Sequence, residues 1–404
     1  MDPQTRRRWL ATCVGTGVAG LAGCTSRGGD DSDSSDDRSD DGIQTDDSDD
    51  VPLDIGDETD EPAPDEWLMT GVDLENTGYH PTASGPTGDV SERWVYEAGD
   101  PITSEIAVSD GIAYANSMNR TSYAIDIENG NQIWKNNPTG TFQGSPTIIG
   151  KEMYVNNNGR ISEFDIDTGE ILWFTGSDVD PKEGVKYYDG VLYTSCGNGY
   201  VKGVNPENGN VVWEHELEGT GRNTIAISDG VIFTSSSPPH VYAVDIETGE
   251  RLWEAETPGG GTSRGIAVDQ NHLYAGIQEG DTLYAFDVED GSESWSTDVG
   301  GYVYSSIAIA NDRAFARVEN SIIALDTVDG SIIWEEPSHG SRSNISLADG
   351  VIYATTNKGI AAFEMDSGET IWEFETEEQM YATPTIVNDC VIIGSQSGKI
   401  YCLY

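Results

Sequence analysis

"AVDIETGERLWEA", residues 243–255, alternates apolar and polar positions, breaks at Thr248-Gly249, and resumes with an apolar pair that ends on Trp253. The same phrase recurs along the chain. It reads "AIDIENGNQIWKN" from Ala124, "EFDIDTGEILWFT" from Glu163, "GVNPENGNVVWEH" from Gly203, "AFDVEDGSESWST" from Ala285, "ALDTVDGSIIWEE" from Ala324 and "AFEMDSGETIWEF" from Ala362. The tryptophans Trp134, Trp173, Trp213, Trp253, Trp295, Trp334 and Trp372 lie 38 to 42 residues apart, and Trp94 lies 40 residues before Trp134. A fixed period of this length marks a repeat architecture.

Each unit reads as four short strands. Around Trp253, "TIAISDG" and "VIFTSSS" flank Asp229-Gly230, while "HVYAVDIETG" and "ERLWEA" flank Thr248-Gly249. Alternation broken by such dipeptides predicts antiparallel hairpins, in which glycine supplies the positive φ of the turn. Asp245 is placed to accept backbone N–H bonds inside its turn, a structural role that needs no chemistry. Four strands in about 40 residues make a propeller blade. After Trp372 only three strands remain, "ATPTIVND", "CVIIGSQ" and "KIYCLY", whereas "SERWVYE" near the start is a Trp strand without a blade. If the early strand completes the last sheet, the ring closes and leaves no open edge. The expected fold is therefore all-β: eight four-stranded antiparallel blades, closed by an N-terminal strand.

The pattern A-x-D-x-x-(T/N/D)-G-x-x-x-W resembles the repeat of PQQ-type eight-bladed propellers, and "EWLMTGVDLENTGYHPTASGP" resembles the leading segment of that superfamily. The resemblance spans residues 67–404. It implies that the repeat tryptophans, Trp94 included, pack between blades as core. That superfamily holds both quinoprotein dehydrogenases and non-enzymatic scaffolds. The enzymes share an adjacent Cys-Cys pair, a calcium held by Glu and Asn, an Asp base and long covering loops; this chain has neither the Cys pair nor inserted loops. The resemblance thus points to the non-enzymatic branch, with no cofactor expected; PQQ and calcium belong only to the alternative, a PQQ-dependent dehydrogenase of an alcohol or sugar.

The termini carry an address. "TRRRWL", Thr5–Leu10, resembles a twin-arginine export motif, and Leu21-Ala22-Gly23-Cys24 resembles a lipobox with Cys24 lipidated. The apolar run between them is too short for a stable span. Residues 1–24 are read as a signal and lipid attachment, and 25–66 as an acidic, unstructured stalk with nothing apolar to bury. The expected location is the outer side of the cytoplasmic membrane, tethered by lipid. The formal charge is −50 over 404 residues; without residues 1–23, which hold three arginines and Asp2, it is −52. Such a surface repels nucleic acid and is destabilised by self-repulsion unless concentrated salt screens it. With twin-arginine export of a lipoprotein, this composition resembles secreted haloarchaeal proteins.

Candidate chemistry is sparse. His80, His215, His240, His272 and His339 show no metal-ligand spacing. Cys196, Cys390 and Cys402 are expected to be free buried thiols, with Cys390 and Cys402 on opposite faces of their hairpin. Of two sequons, Asn119 lies in a hairpin loop open to glycosylation, and Asn344 enters an inner strand. One column stands out when blades are aligned on the innermost Asp-Gly turn: Thr103, Gln143, Lys182, Arg222, Ser263, Tyr304, Arg342 and Tyr381, with Arg264 one step away. It rings the channel mouth. These cations either neutralise acids such as Glu183 and Glu105, or form a positive funnel, walled by Phe142, Tyr302, Tyr304 and Tyr381, for an anionic ligand or a partner's acidic loop. The expected activity is binding, with a protein partner at the cell surface and a monomeric propeller.

Overall fold

Ala124 explains the first letter of the repeat. On the third strand of its blade it lies opposite Tyr114 on one neighbour and Trp134 on the other. The two rings approach to 6.0 Å across it, where the small side chain lets them meet, although Glu163 holds the same place between Tyr154 and Trp173 at the same spacing. The arrangement recurs around Ala243 (Phe233, Trp253), Ala285 (Tyr274, Trp295), Ala324 (Phe315, Trp334) and Ala362 (Tyr353, Trp372), with ring centroids 5.9 to 6.1 Å apart. One residue after each such alanine the pairing slips by one, a bulge that sharpens the strand twist.

The computed structural model describes residues 62–404 apart from 138–141, 158, 178, 222–223, 238–239, 259–261, 278–279 and 339–342. The proposed signal, Cys24, Arg222 and Arg342 lie outside the described residues, as do the side chains of Gln143 and Arg264. The strands form eight separate sheets. Blade 1 comprises Ala107–Ser109, Ile112–Ser117, Thr121–Asp126 and Gln132–Asn136, and blades 2 to 7 repeat this meander. Blade 8 takes Thr385–Val387, Cys390–Gly394 and Lys399–Leu403 from the end of the chain and Glu92–Glu97 from its start. Trp94 faces Cys402, Val95 faces Tyr401 and Glu97 faces Lys399 in an antiparallel pair. The ring is closed.

The tryptophans latch successive blades. Trp94 Nε1 donates to the Ile127 carbonyl at 2.8 Å, Trp134 to Ile166 at 2.8 Å, Trp173 to Pro206 at 2.8 Å, Trp253 to Val288 at 2.9 Å and Trp295 to Thr327 at 2.9 Å. Each acceptor sits in the turn that runs from Asp, or from Asn205 in blade 3, to Gly in the next blade. The turn glycine is needed for room as well as for φ: a Cβ on Gly330, at φ +71°, would lie 2.4 Å from Trp295. Blade 8 lacks this turn because its outer strand comes from elsewhere, and Trp372 donates instead to the Pro86 carbonyl at 2.6 Å. Trp213 departs from the pattern, since its buried Nε1 has no partner. Nearer the axis, Thr147, Ser346 and Thr385 occupy one position in three blades. Their hydroxyls donate to the carbonyls of Val185, Pro384 and Ile106 in the following blade. The last of these joins blade 8 to blade 1.

One expectation needs correction here. Ile392 pairs with Cys402 and Ile393 with Tyr401, which places Cys390 and Cys402 diagonally on the same face, not on opposite ones. The physical reason is the turn: Ser395 N donates to the Lys399 carbonyl, leaving a three-residue loop with Gly398 at φ +86°. The thiols, both buried and free, share a hydrogen bond that pulls Cys390 below its usual range and pushes Cys402 above. Residues 62–66 make contacts of their own. The Pro62 carbonyl accepts from Thr82, and the Pro64 carbonyl accepts from Asn388 N.

Candidate functional site

The segment after Glu66 does not merely lead into the propeller; it winds round the inside of the ring. Trp67 exchanges two backbone hydrogen bonds of 2.8 Å with Val108 of blade 1. The Leu68 carbonyl then accepts from Ile148 N of blade 2, Leu74 from Ile227 N of blade 4, Glu75 from Val268 N of blade 5, Thr77 from Ile309 N of blade 6 and Gly78 from Leu347 N of blade 7, all at 2.8 to 3.0 Å. The Ser84 carbonyl accepts from Asp389 N of blade 8. In blade 3 a side chain takes this role: Lys186 Nζ donates to the Thr70 carbonyl at 2.5 Å and to the Asp73 carbonyl. The innermost strands would otherwise present unpaired edge groups to the axis, and the strap satisfies them. Its own turns are tight. Gly71, Val72, Asn76 and Gly78 all have φ between +59° and +73°, which for the β-branched Val72 is a strained conformation.

The strap therefore floors the axial channel near the inner Asp-Gly turns. On its other side lies a cavity of about 20 Å³, room for one water-sized group. It is lined by Trp67, Thr70, Gly71 and Asn76 of the strap and by Glu105, Thr224, Ser306 and Asn344 of the blades. Glu105 is 4% exposed and its Oε2 accepts from Gly71 N at 3.1 Å. Burial pushes its carboxyl up to about 7, against the opposing pull of that hydrogen bond and of Lys186. Glu75 is likewise raised to about 7 by burial and then by its neighbour Asp73. Asp73 is raised by burial although Thr77 donates to it. Lys186 is lowered to about 8 by burial, against the attraction of Asp73, Glu105 and Glu75. Three carboxyls thus face one ammonium.

The mouth column begins just beyond this floor. The positions immediately before Lys182, Tyr304 and Tyr381 make equivalent bridges, Pro181 to Cys196, Val303 to Val318 and Met380 to Ser395, so the three start their strands at matching places. Lys182 Nζ is 2.7 Å from Asp180 Oδ1. Tyr302 and Tyr304 meet edge to face at 6.1 Å, and the Tyr381 hydroxyl donates to Gln379. Glu105, expected beside the mouth cations, instead turns to the floor and faces Lys186. Asn119 Nδ2, on its loop, points inward to the Ala98 carbonyl and the Tyr123 hydroxyl at 3.5 and 3.4 Å.

Sequence reasoning overlooked Lys186 and Arg317, the two most deeply buried cations among the described residues. Lys186 stands in a column otherwise holding Ala107, Thr147, Ala226, Ala267, Ala308, Ser346 and Thr385, and this contrast was a readable signal. Arg317, fully buried, stands among Asn116, Asn156, Ser195, Ser235, Gly276, Thr355 and Gly394. Its guanidinium donates to the Thr355 carbonyl at 2.8 Å, its Nε has no partner, and burial lowers it to about 10.

Closed blades, tryptophan latches and a strapped axis define an eight-bladed propeller of PQQ-like repeats. The family described as outer membrane protein assembly factor BamB matches residues 84–238 and 237–403, and the chain belongs to it. A protein of that description from Francisella salina is 26% identical over 93 residues, which is 22% of this chain and only 18% of that relative's length. Among solved structures, BamB from Moraxella catarrhalis superposes with a TM-score of 0.67 at 15% identity, covering 78% of this chain and 99% of that one. Quinohemoprotein alcohol dehydrogenase from Comamonas testosteroni gives 0.69 at 13% identity, covering 85% and 81%. At such identities these likenesses establish the fold alone.

A quinone cofactor of the kind those dehydrogenases are named for does not fit the floor cavity, which is far below the several hundred Å³ of a small-molecule site. Among the described residues no group of three His, Cys, Asp or Glu side chains is placed to hold a metal ion.

Proposed function

We propose that this propeller is a binding module, tethered outside the cytoplasmic membrane through lipidated Cys24 and the acidic stalk, and that it docks a protein partner. One observation carries the reading. On the outer strands of four successive blades, Ile133, Leu172, Phe174, Val212 and Leu252 are 49 to 57% exposed. Blade 6 adds Ile332 and Ile333. Scattered apolar residues on a surface are ordinary, but the same strand exposing them from blade to blade makes a row. Acids flank that row, among them Glu170, Glu214, Glu216 and Glu250. A complementary partner would present an apolar centre with a basic rim. The family's description as an assembly factor supports a scaffold of this kind, although the outer-membrane role is not carried over. The mouth cations fit neutralisation of nearby acid, since Lys182 already meets Asp180.

Affinity capture from surface-labelled cells in native salt tests the reading. The parent chain should retain a specific partner, and Leu172→Glu combined with Val212→Glu should lose it while folding normally. Capture unaffected by the double substitution would overturn the docking row. Binding of PQQ with calcium, followed by dye-linked oxidation of an alcohol or sugar, would replace the whole reading with a dehydrogenase.

A further inference from the structure

The channel floor is short of positive charge, and two of its buried oxygens lack a donor, although the indole Nε1 of Trp67 beside the same cavity is itself unpartnered. Asp73, Glu75 and Glu105 have Lys186 as their shared counter-charge, and Lys186 directs its hydrogen bonds at the strap carbonyls of Thr70 and Asp73. Asn76, only 3% exposed, sharpens the point. Its Nδ2 donates to the Ile225 carbonyl at 2.8 Å, the Ile266 carbonyl at 3.2 Å and Thr224 Oγ1 at 3.4 Å. Flipping the amide would set its oxygen against two carbonyl oxygens, so the orientation is fixed. Asn76 Oδ1 is therefore an acceptor, buried and without a partner, and Thr70 Oγ1 beside the same cavity is also unpartnered. Two glycines keep the space before them clear. A Cβ on Gly71 would stand 2.9 Å from Asn76 Oδ1, and one on Gly184 would stand 2.8 Å from Thr70 Oγ1.

We infer that this cavity is a binding site for a compact cationic hydrogen-bond donor, ammonium or the head of a primary alkylammonium group. Asn76 Oδ1, Thr70 Oγ1 and the Glu105 carboxylate hold it. A buried acceptor without a donor is costly, and a buried carboxylate that shares its one counter-charge with two others more so. Water supplies the donor but not the charge. Guanidinium supplies both but exceeds the room available. The inference stands apart from the docking row, which lies on the circumference.

The test compares ammonium chloride with tetramethylammonium chloride, which carries the same charge without a donor, at equal ionic strength. The thermal midpoint of the full chain should rise saturably in ammonium, by about 2 °C at tenfold excess over half-saturation, and not in tetramethylammonium. Glu105→Gln should abolish the difference. Equal midpoints in the two salts, or a difference that survives Glu105→Gln, would overturn the site. If that variant does not fold, nitrogen-15 ammonium added to the parent decides: a protein-bound ammonium resonance in slow exchange with bulk supports the site, and bulk signal alone refutes it.

Discussion

Replacing Glu105 by glutamine should stabilise the protein at alkaline pH. The carboxyl is 4% exposed, and burial lifts it from an ordinary 4.5 to about 7. The sign follows from which state binds the proton more tightly. Between these two values the unfolded chain ionises first, so folding loses stability as pH rises from about 4.5; above about 7 both states are ionised and the loss is complete. That interval corresponds to roughly 3 kcal/mol, an upper bound because neighbouring groups relax. Glutamine keeps a carbonyl oxygen for Gly71 N, now 3.1 Å from the carboxylate, and cannot ionise. In urea unfolding at fixed salt, without ammonium, Glu105→Gln should match the parent near pH 4.5 and exceed it by up to about 3 kcal/mol at pH 8. A variant less stable than the parent at pH 8 would show that attraction to Lys186 outweighs desolvation, and the description of the floor as under-compensated would fail.

Trp295→Phe orphans the Thr327 carbonyl, whereas Trp213 Nε1 has no partner to lose; Trp295→Phe should therefore cost about 1 kcal/mol more than Trp213→Phe in denaturant midpoints, and equal costs would deny the latch its hydrogen bond. Arg317→Met retains the stem's volume and removes a fully buried charge, so stability at neutral pH should hold or rise by about 1–4 kcal/mol; a fall of more than about 2 kcal/mol would mean its carbonyl contacts dominate. Cys196, Cys390 and Cys402 are buried free thiols. An aromatic disulfide reagent should leave them unlabelled in the folded chain and label them on unfolding, and labelling of Cys390 in the native state would contradict its packing.

The blade count was legible because its determinants are local. The tryptophan, the small residue between two rings and the turn glycine all fall within one repeat, so one period displays them together. Closure was legible by elimination, since "SERWVYE" had no other place. The strap was not. Its carbonyls are spread over all eight blades, from Val108 to Asp389, and nothing within residues 67–84 announces partners scattered over nearly three hundred positions. The floor charges were hidden for the same reason: Glu105 was read along its own strand, towards the mouth, while its real neighbours belong to the strap and to blade 3. Cys390 and Cys402 were misplaced by a single residue of loop, because a slip of one in a strand exchanges its faces.

The pairing of Glu92–Glu97 with Lys399–Leu403 tests the closed ring most directly. Amide hydrogen exchange should find Trp94 and Tyr96, whose N–H groups face Lys399–Leu403, protected as slowly as inner strands of other blades in the full chain, and exposed within seconds in a chain ended at Gly398. Fast exchange in the full chain, or protection that survives the truncation, would contradict a ring sealed by its own two ends.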